Sequence, residues 1–176
     1  KISKFFAYTI FFLLALMYFI PKVSLYYFVE HEIKKYAIVI DNEKAVDNGF
    51  SLSLYNATIN VKGIPSATIK EANFKQFIIY NTSTFKDIKL SSVAASMIPT
   101  DIDTINIKYS IFNPLYITAD AIGGFGEAEV SFSLTDLALH LDLKPSKKML
   151  SSHRATLRNL KKSKDGGYSY DKTIKL

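Results

Sequence analysis

The sequence predicts a mainly β protein: one antiparallel, curved meander behind an N-terminal membrane-spanning helix, with a juxtamembrane helix and one C-terminal amphipathic basic helix. Three observations predict it. Phe5 to Ile20 (FFAYTIFFLLALMYFI) is an uncharged run of 16 residues. From Ala37 onward apolar residues recur at every second position, the period of a half-buried strand. Turn signals then fall at intervals of about ten residues, the spacing of consecutive short strands. Strands following one another without helices between them disfavour a nucleotide-binding α/β fold.

Taken in order, the anchor comes first, as residues 1–22. At about 1.5 Å per residue the apolar run spans roughly 24 Å, a little short of a hydrocarbon core of about 30 Å. Lys4 and Lys22 bracket it and can snorkel to the two interfaces, where Tyr8, Tyr18 and Tyr26 also suit the headgroup zones. The residues expected in the membrane are Phe5, Phe6, Ile10, Phe11, Phe12, Leu13, Leu14, Leu16, Phe19 and Ile20. A cleaved signal peptide would need a small-x-small site, and Leu16 to Ile20 are bulky, so an uncleaved signal anchor is expected. Residues 23–36 continue as a juxtamembrane helix. Leu25, Phe28, Val29 and Ile33 form its apolar stripe, and Pro21 either opens or kinks it.

Residues 37–176 form the β domain. Phe50, Leu52 and Leu54 alternate with serines, and the apolar set then shifts to Ala57, Ile59 and Val61, which requires a bulge or break near Tyr55-Asn56. Asp47-Asn48-Gly49 and Lys62-Gly63-Ile64-Pro65 read as turns on either side. Strands are expected around Ala67 to Glu71, Phe77 to Tyr80, Ile105 to Ile111, Leu115 to Ala121 and Val130 to Leu134. A last one in the meander places Leu137, Leu139, Leu141 and Leu143 on one buried face, opposite Ala138, His140 and Asp142. Residues 146–162 return to a helical period with Leu150, His153, Leu157 and Leu160 on one face, and Tyr168 to Ile174 give a final strand.

Composition excludes several classes. The 176 residues contain no Cys, which removes disulfide scaffolds and thiolate metal sites. The three histidines, His31, His140 and His153, sit on separate elements without the close pair that metal or catalytic sites use. No Gly-x-Ser-x-Gly occurs, and Gly123-Gly124-Phe125-Gly126 leads into Glu127 and Glu129, which would repel a phosphate, so it reads as a tight hairpin turn. Asp101 and Asp103 lack the Gly and Glu of a calcium loop and read as a solvated strand end. No catalytic residue, cofactor or metal is expected, and the protein is read as non-enzymatic.

The net charge of +6 is unevenly placed. Lys144 to Lys164 carries +8 without an acid, Lys1 and Lys4 add +2, and the remainder is left at −4. The basic segment has no aromatic residue to stack a base, which argues against nucleic acid; it reads first as a solvated face that complements an acidic neighbour, with an anionic lipid contact open if the domain folds back toward the membrane. Lys147, Lys148, Arg154, Arg158, Lys161 and Lys162 are the candidate protein-interaction residues, with Arg154 and Arg158 suited to bidentate carboxylate pairing.

The segment Pro21 to Glu30, the Asn48-Gly49-Phe50-Ser51-Leu52 strand, the Leu137 to Pro145 strand, and Asp165-Gly166-Gly167-Tyr168-Ser169-Tyr170 together resemble the type II secretion system protein N family. That family is similar in turn to the AsmA-like envelope proteins. The resemblance implies a single-pass bacterial inner-membrane protein with its C-terminal domain in the periplasm. It would be a structural or scaffolding subunit of a secretion, pilus or flagellar-motor assembly. Implied partners are inner-membrane lipid and other subunits, with a homo-oligomer as a further candidate. The alternative is a periplasmic lipid- or lipopolysaccharide-binding or transfer protein, with Phe50, Leu52, Ile107 and Phe132 lining an apolar groove.

Overall fold

The computed structural model describes residues 2–77, 79–163 and 165–174. Helix α1 (Ile2–Phe19) contains no buried residue, and Pro21 separates it from α2 (Lys22–Lys34). Among the described residues eleven strands follow in a single sheet: β1 (Ile38–Asp41), β2 (Lys44–Asp47), β3 (Ser51–Val61), β4 (Ile64–Gln76), β5 (Tyr80–Leu90), β6 (Asp101–Ser110), β7 (Tyr116–Gly123), β8 (Gly126–Ser133), β9 (Ala138–Pro145), β10 (Lys161–Lys162) and β11 (Tyr168–Thr173). Between β9 and β10 lie two short helices, α3 (Lys147–Ser152) and α4 (Arg154–Leu157). A single 3-10 turn, Ala94–Ser96, interrupts the link from β5 to β6. The order across the sheet is β1-β3-β4-β5-β6-β7-β8-β9-β11-β10, with β2 also on β3, and every pairing is antiparallel. The expected meander is present.

Directly paired residues share a face, so the register sorts the side chains. One row reads Leu54, Ala72, Phe85, Ile105, Ala121, Ala128, Leu143 and Tyr168 across eight strands. The next reads Leu52, Phe74, Ser83, Ile107, Ala119, Val130, Leu141 and Tyr170. The opposite face is polar: Ser53, Asn73, Thr84, Asn106, Asp120, Glu129, Asp142 and Ser169 form its matching row. Hydrogen bonds run along that face from Thr84 Oγ1 to Asn106 (2.9 Å) and from Asn106 Nδ2 to Asp120 (3.1 Å). Lys108 then pairs with Asp120 at 2.6 Å.

The shift foreseen near Tyr55-Asn56 is a crease across four strands. Leu54 and Ala57 are both buried, and so are Ala72 with Ile69 on β4. Phe85 with Ile88 and Ile105 with Ile102 repeat the three-residue step on β5 and β6, where Phe85 and Ile105 pack against the buried core. Alternation therefore slips by one at Asn56, Lys70, Asp87 and Asp103, all of them exposed. Asn56 and Asp87 take left-handed backbone conformations, φ 58° and φ 50°, which Asn and Asp tolerate better than other side chains. Lys70 bridges to Asp87 at 3.3 Å along the crease. The turns also match: Lys62 and Gly63, both at positive φ, form a two-residue hairpin link, and Gly124-Phe125 connects β7 to β8 with Phe125 buried inward.

Three local expectations are corrected. Phe77 to Tyr80 is not a strand: β4 ends at Gln76 and β5 begins at Tyr80, so Phe77 and Ile79 belong to a hairpin end, and Ile78 lies outside the described residues. Leu137 stands before β9 in a turn at φ 49°, so only Leu139, Leu141 and Leu143 share the apolar face. The helix expected over 146–162 is broken at His153, whose φ −125° and ψ 36° leave the helical region. Its ring bonds the Ala95 carbonyl at 3.0 Å. Among the described residues Met149 is the largest fully buried side chain, while Leu150 is 42% exposed. The buried face of this segment is thus Met149, His153 and Leu157, with Leu160 half-buried against the core.

Candidate functional site

The buried core occupies the creased half of the sheet, where α3, α4 and the 3-10 turn close over it. Ser146 caps α3 by accepting the Met149 N–H at 3.1 Å and donates to the Gly124 carbonyl at 2.6 Å. Thr156 Oγ1 donates to the Met97 carbonyl. Two short helices are thereby fixed over one end of the apolar face.

At the β1–β3 edge, α2 lies over the same face. Val23 and Tyr26 pack on the core, while Lys22 and Glu30 are buried. Positions 22, 26 and 30 follow the i, i+4 spacing of one helix face, so α2 turns a face with two charges toward the sheet. The charges are paired: Lys22 Nζ lies 3.4 Å from Asp47 and donates to the Tyr18 and Ile20 carbonyls, and Lys34 meets Glu30 at 2.7 Å. Burial opposes ionisation of Asp47, but the Gly49 N–H and Lys22 together hold its carboxyl below the usual carboxylate range. Burial, with Glu43 and Glu30 nearby, pushes the Tyr26 phenol well above its ordinary value. Of the apolar stripe expected on this helix, Leu25, Val29 and Ile33 border an open cleft of about 310 Å³, completed by Ile40, Leu52 and Phe74 from the sheet. Phe28 faces away at 64% exposure.

Outside these two covered regions, toward the β6–β7 and β8–β9 links, no helix among the described residues lies over the apolar face. Tyr109, Ile117, Phe132 and Leu139 form a further row across β6 to β9. With Ile107, Ala119 and Val130 they are half-buried and lie beyond the buried core. Leu52, Ile107 and Phe132, three of the four groove residues expected, share this face. Phe50 stands at its rim, with its ring 5.4 Å from Tyr18 and stacked on Phe77 at 6.3 Å. Phe74, which closes the cleft, was not among them because its strand carries Lys70, Glu71, Asn73 and Lys75, which mask the alternation.

The membrane-span residues Phe5, Phe6, Ile10, Phe11, Phe12, Leu13, Leu14, Leu16 and Phe19 all lie exposed on α1, and Ile20 follows at its end. Helix α1 is long and apolar enough to cross a membrane. The six basic candidates are placed differently from expectation. Lys147 and Lys148 are on α3, Arg154 on α4 and Arg158 at its C-terminus, whereas Lys161 and Lys162 are strand residues on β10. All six are exposed. Among the described residues only Lys161 of the six has an acidic partner, Asp171 at 3.4 Å.

His140 projects from the polar face. Its Nδ1 lies 2.6 Å from Asp171 and its Nε2 3.0 Å from Asp142. The Asp171 contact, then the Asp142 contact, raise the imidazole above its ordinary value, and His140 in turn holds Asp171 low. Among the described residues no group of three or more His, Asp or Glu could hold a metal ion. Compared with family models, curated proteins and solved structures, the chain has no significant match.

Proposed function

We propose that this protein is a non-enzymatic, membrane-tethered carrier that holds lipid acyl chains against the apolar face of its sheet. The observation that carries it is the unlidded row of Tyr109, Ile117, Phe132 and Leu139. It lies on the same face as the cleft under α2, from which Asn81 and Ser83 on β5 separate it, while the other face is polar throughout its central rows. A contiguous apolar row that stays partly open to solvent is the kind of surface that marks a ligand groove or an interaction site. An acyl chain needs length and apolarity, not hydrogen-bond donors, and a long curved sheet face supplies both. Helix α1 is the single-pass anchor in this reading. The setting is the one implied by the resemblance to type II secretion system protein N and AsmA-like proteins, an inner membrane with the β domain in the periplasm.

The test is extraction of the full chain purified in mild detergent, with mass spectrometry of the organic phase. Copurifying phospholipid or lipopolysaccharide is expected, and its loss in Ile107→Asp with Phe132→Asp while far-ultraviolet circular dichroism is retained. A folded wild-type protein that carries no lipid refutes the reading.

A second reading, a scaffold subunit of a secretion, pilus or flagellar assembly or a homo-oligomer, is favoured by the exposed basic side chains Lys147, Lys148, Arg154 and Arg158. Native mass separates the two: a large defined complex dissociated by Arg154→Glu with Arg158→Glu supports the scaffold.

A further inference from the structure

The two hairpin ends of the sheet differ in charge. At one end are the Lys62-Gly63 turn and the β5–β6 link, where the exposed Lys62, Lys89, Asp101 and Asp103 stand among the exposed Val61, Ile64, Val93 and Met97. At the other are the β4–β5, β6–β7 and β8–β9 links. Phe77 and Ile79 are exposed in the first, Ile111, Phe112 and Leu115 in the second, and Leu134 in the third, with Phe112 at 82%. No charged residue occurs from Phe77 to Tyr80 or from Ile111 to Tyr116, and the β8–β9 link carries one, Asp136, which bonds Ser133.

These links form a continuous rim. The Ile111 N–H donates to the Ile79 carbonyl at 3.2 Å, and the Leu134 N–H donates to the Leu115 carbonyl at 2.8 Å. The rim is also continuous with the anchor. Tyr18, in the last turn of α1, packs edge-on to Phe50, and Phe50 stacks on Phe77. The end of the sheet carrying apolar tips is therefore the end from which α1 leaves.

We propose that this rim inserts into the headgroup region of the bilayer that α1 crosses, so that the apolar face opens directly onto the membrane. Aromatic and aliphatic side chains on short loops suit the interface, where their apolar bodies leave water while nearby backbone remains solvated. Without basic residues on the tips, the contact depends on apolar burial and not on lipid charge. Lipid then passes between bilayer and groove without crossing water. The inference rests on α1 being the anchor, and the experiment separates the two.

Because the chain has no native Cys, single cysteines placed in the full protein label cleanly. An environment-sensitive fluorophore is attached at Phe112→Cys, Leu115→Cys, Val93→Cys or Phe12→Cys, and each protein is reconstituted in phosphatidylcholine vesicles containing doxyl-labelled lipid. Val93 is an exposed apolar residue at the opposite end and serves as the matched control. Labels at Phe112 and Leu115 are expected to shift to the blue and to be quenched by shallow doxyl groups. The Val93 label should emit as in water, and the Phe12 label should be quenched by deep groups. Water-like emission at both Phe112 and Leu115 with a quenched Phe12 label overturns the docking rim and leaves the anchor standing. An unquenched Phe12 label overturns the anchor and the rim with it. Equal quenching at Val93 and Phe112 also overturns the rim, because the contact would not be confined to this end.

Discussion

Replacing Met149 by Ala tests which face of the basic segment is inside. Met149 is 1% exposed, whereas Leu150 is 42% exposed. The substitution removes three heavy atoms beyond Cβ. At about 0.8 kcal/mol for each methylene-sized group, the lost transfer free energy is about 2.4 kcal/mol. A residual cavity of about 50 Å³ adds roughly 1.2 kcal/mol at 24 cal/mol per Å³. The expected loss is about 3–4 kcal/mol, falling toward 2.4 if α3 collapses into the space. For a protein of this size that lowers the melting temperature by about 7–15 °C. Leu150→Ala, already nearly half in water, should cost under about 1 kcal/mol. The assay is urea and thermal unfolding of the full chain in detergent, followed by far-ultraviolet circular dichroism because the chain has no Trp. A Leu150→Ala loss equal to or larger than that of Met149→Ala would refute the broken-helix arrangement and restore a continuous helix packed through Leu150.

Two further outcomes follow from single positions. At Gly49 the backbone has φ 79° and an added Cβ would collide with the Tyr18 ring; Gly49→Val should cost at least about 1–2 kcal/mol from backbone strain alone and loosen the anchor from the sheet, seen as faster proteolysis between Phe19 and Lys22, and unchanged proteolysis would refute it. His140 is raised by Asp171 and Asp142, so its contribution to stability is full below the ordinary imidazole value of about 6.5 and disappears as pH rises through its higher folded value. The melting-temperature gap between wild type and His140→Ala should therefore be wider near pH 5.5 than near pH 9, and Asp171→Asn should narrow it; a gap independent of pH would show that the two carboxylates do not hold the proton.

Much of this architecture was legible because strands with one buried face must alternate. Leu52 with Leu54 and Ile105 with Ile107 announce their strands, and the phase change after Leu54 announces the crease. The crease's extent was not legible. On β4 it falls at Lys70 and on β5 at Asp87, where polar neighbours hide the shift, and only the cross-strand register reveals that four local slips form one line. Strand β5 itself, Tyr80–Leu90, was missed because Ser83 occupies an inward position and Thr84, Lys86 and Lys89 surround the few apolar residues. The basic segment misled for a different reason. Its helical period is real, but the helices are only six and four residues long, too short to be set by local preference. Contacts from His153 to Ala95 and from Thr156 to Met97, nearly sixty residues away in sequence, decide where they break. The apolar groove was named through three of its residues, yet its openness is a property of what covers the sheet, which periodicity along one strand does not report.

The charge excess of the C-terminal segment acquires a structural cause from the sheet edges. A sheet of eleven strands ends in two edges, and an unprotected edge is a template for pairing with another chain. At the first edge, β1 and β2 divide the length of β3 between them, with α2 packed alongside. At the second edge the last strand, β10, is two residues long, and both are exposed lysines. Lys172 on β11 adds a third charge beside it. Short length and positive charge are the two devices that discourage edge-to-edge addition, and here they coincide. Lys161 and Lys162 are therefore explained by the fold, and Lys161 is further neutralised by Asp171. Lys147, Lys148, Arg154 and Arg158 are not explained in this way. They lie on the two helices that close the creased end of the apolar face, at the end remote from α1, and a partner that recognises this protein through charge would meet it there.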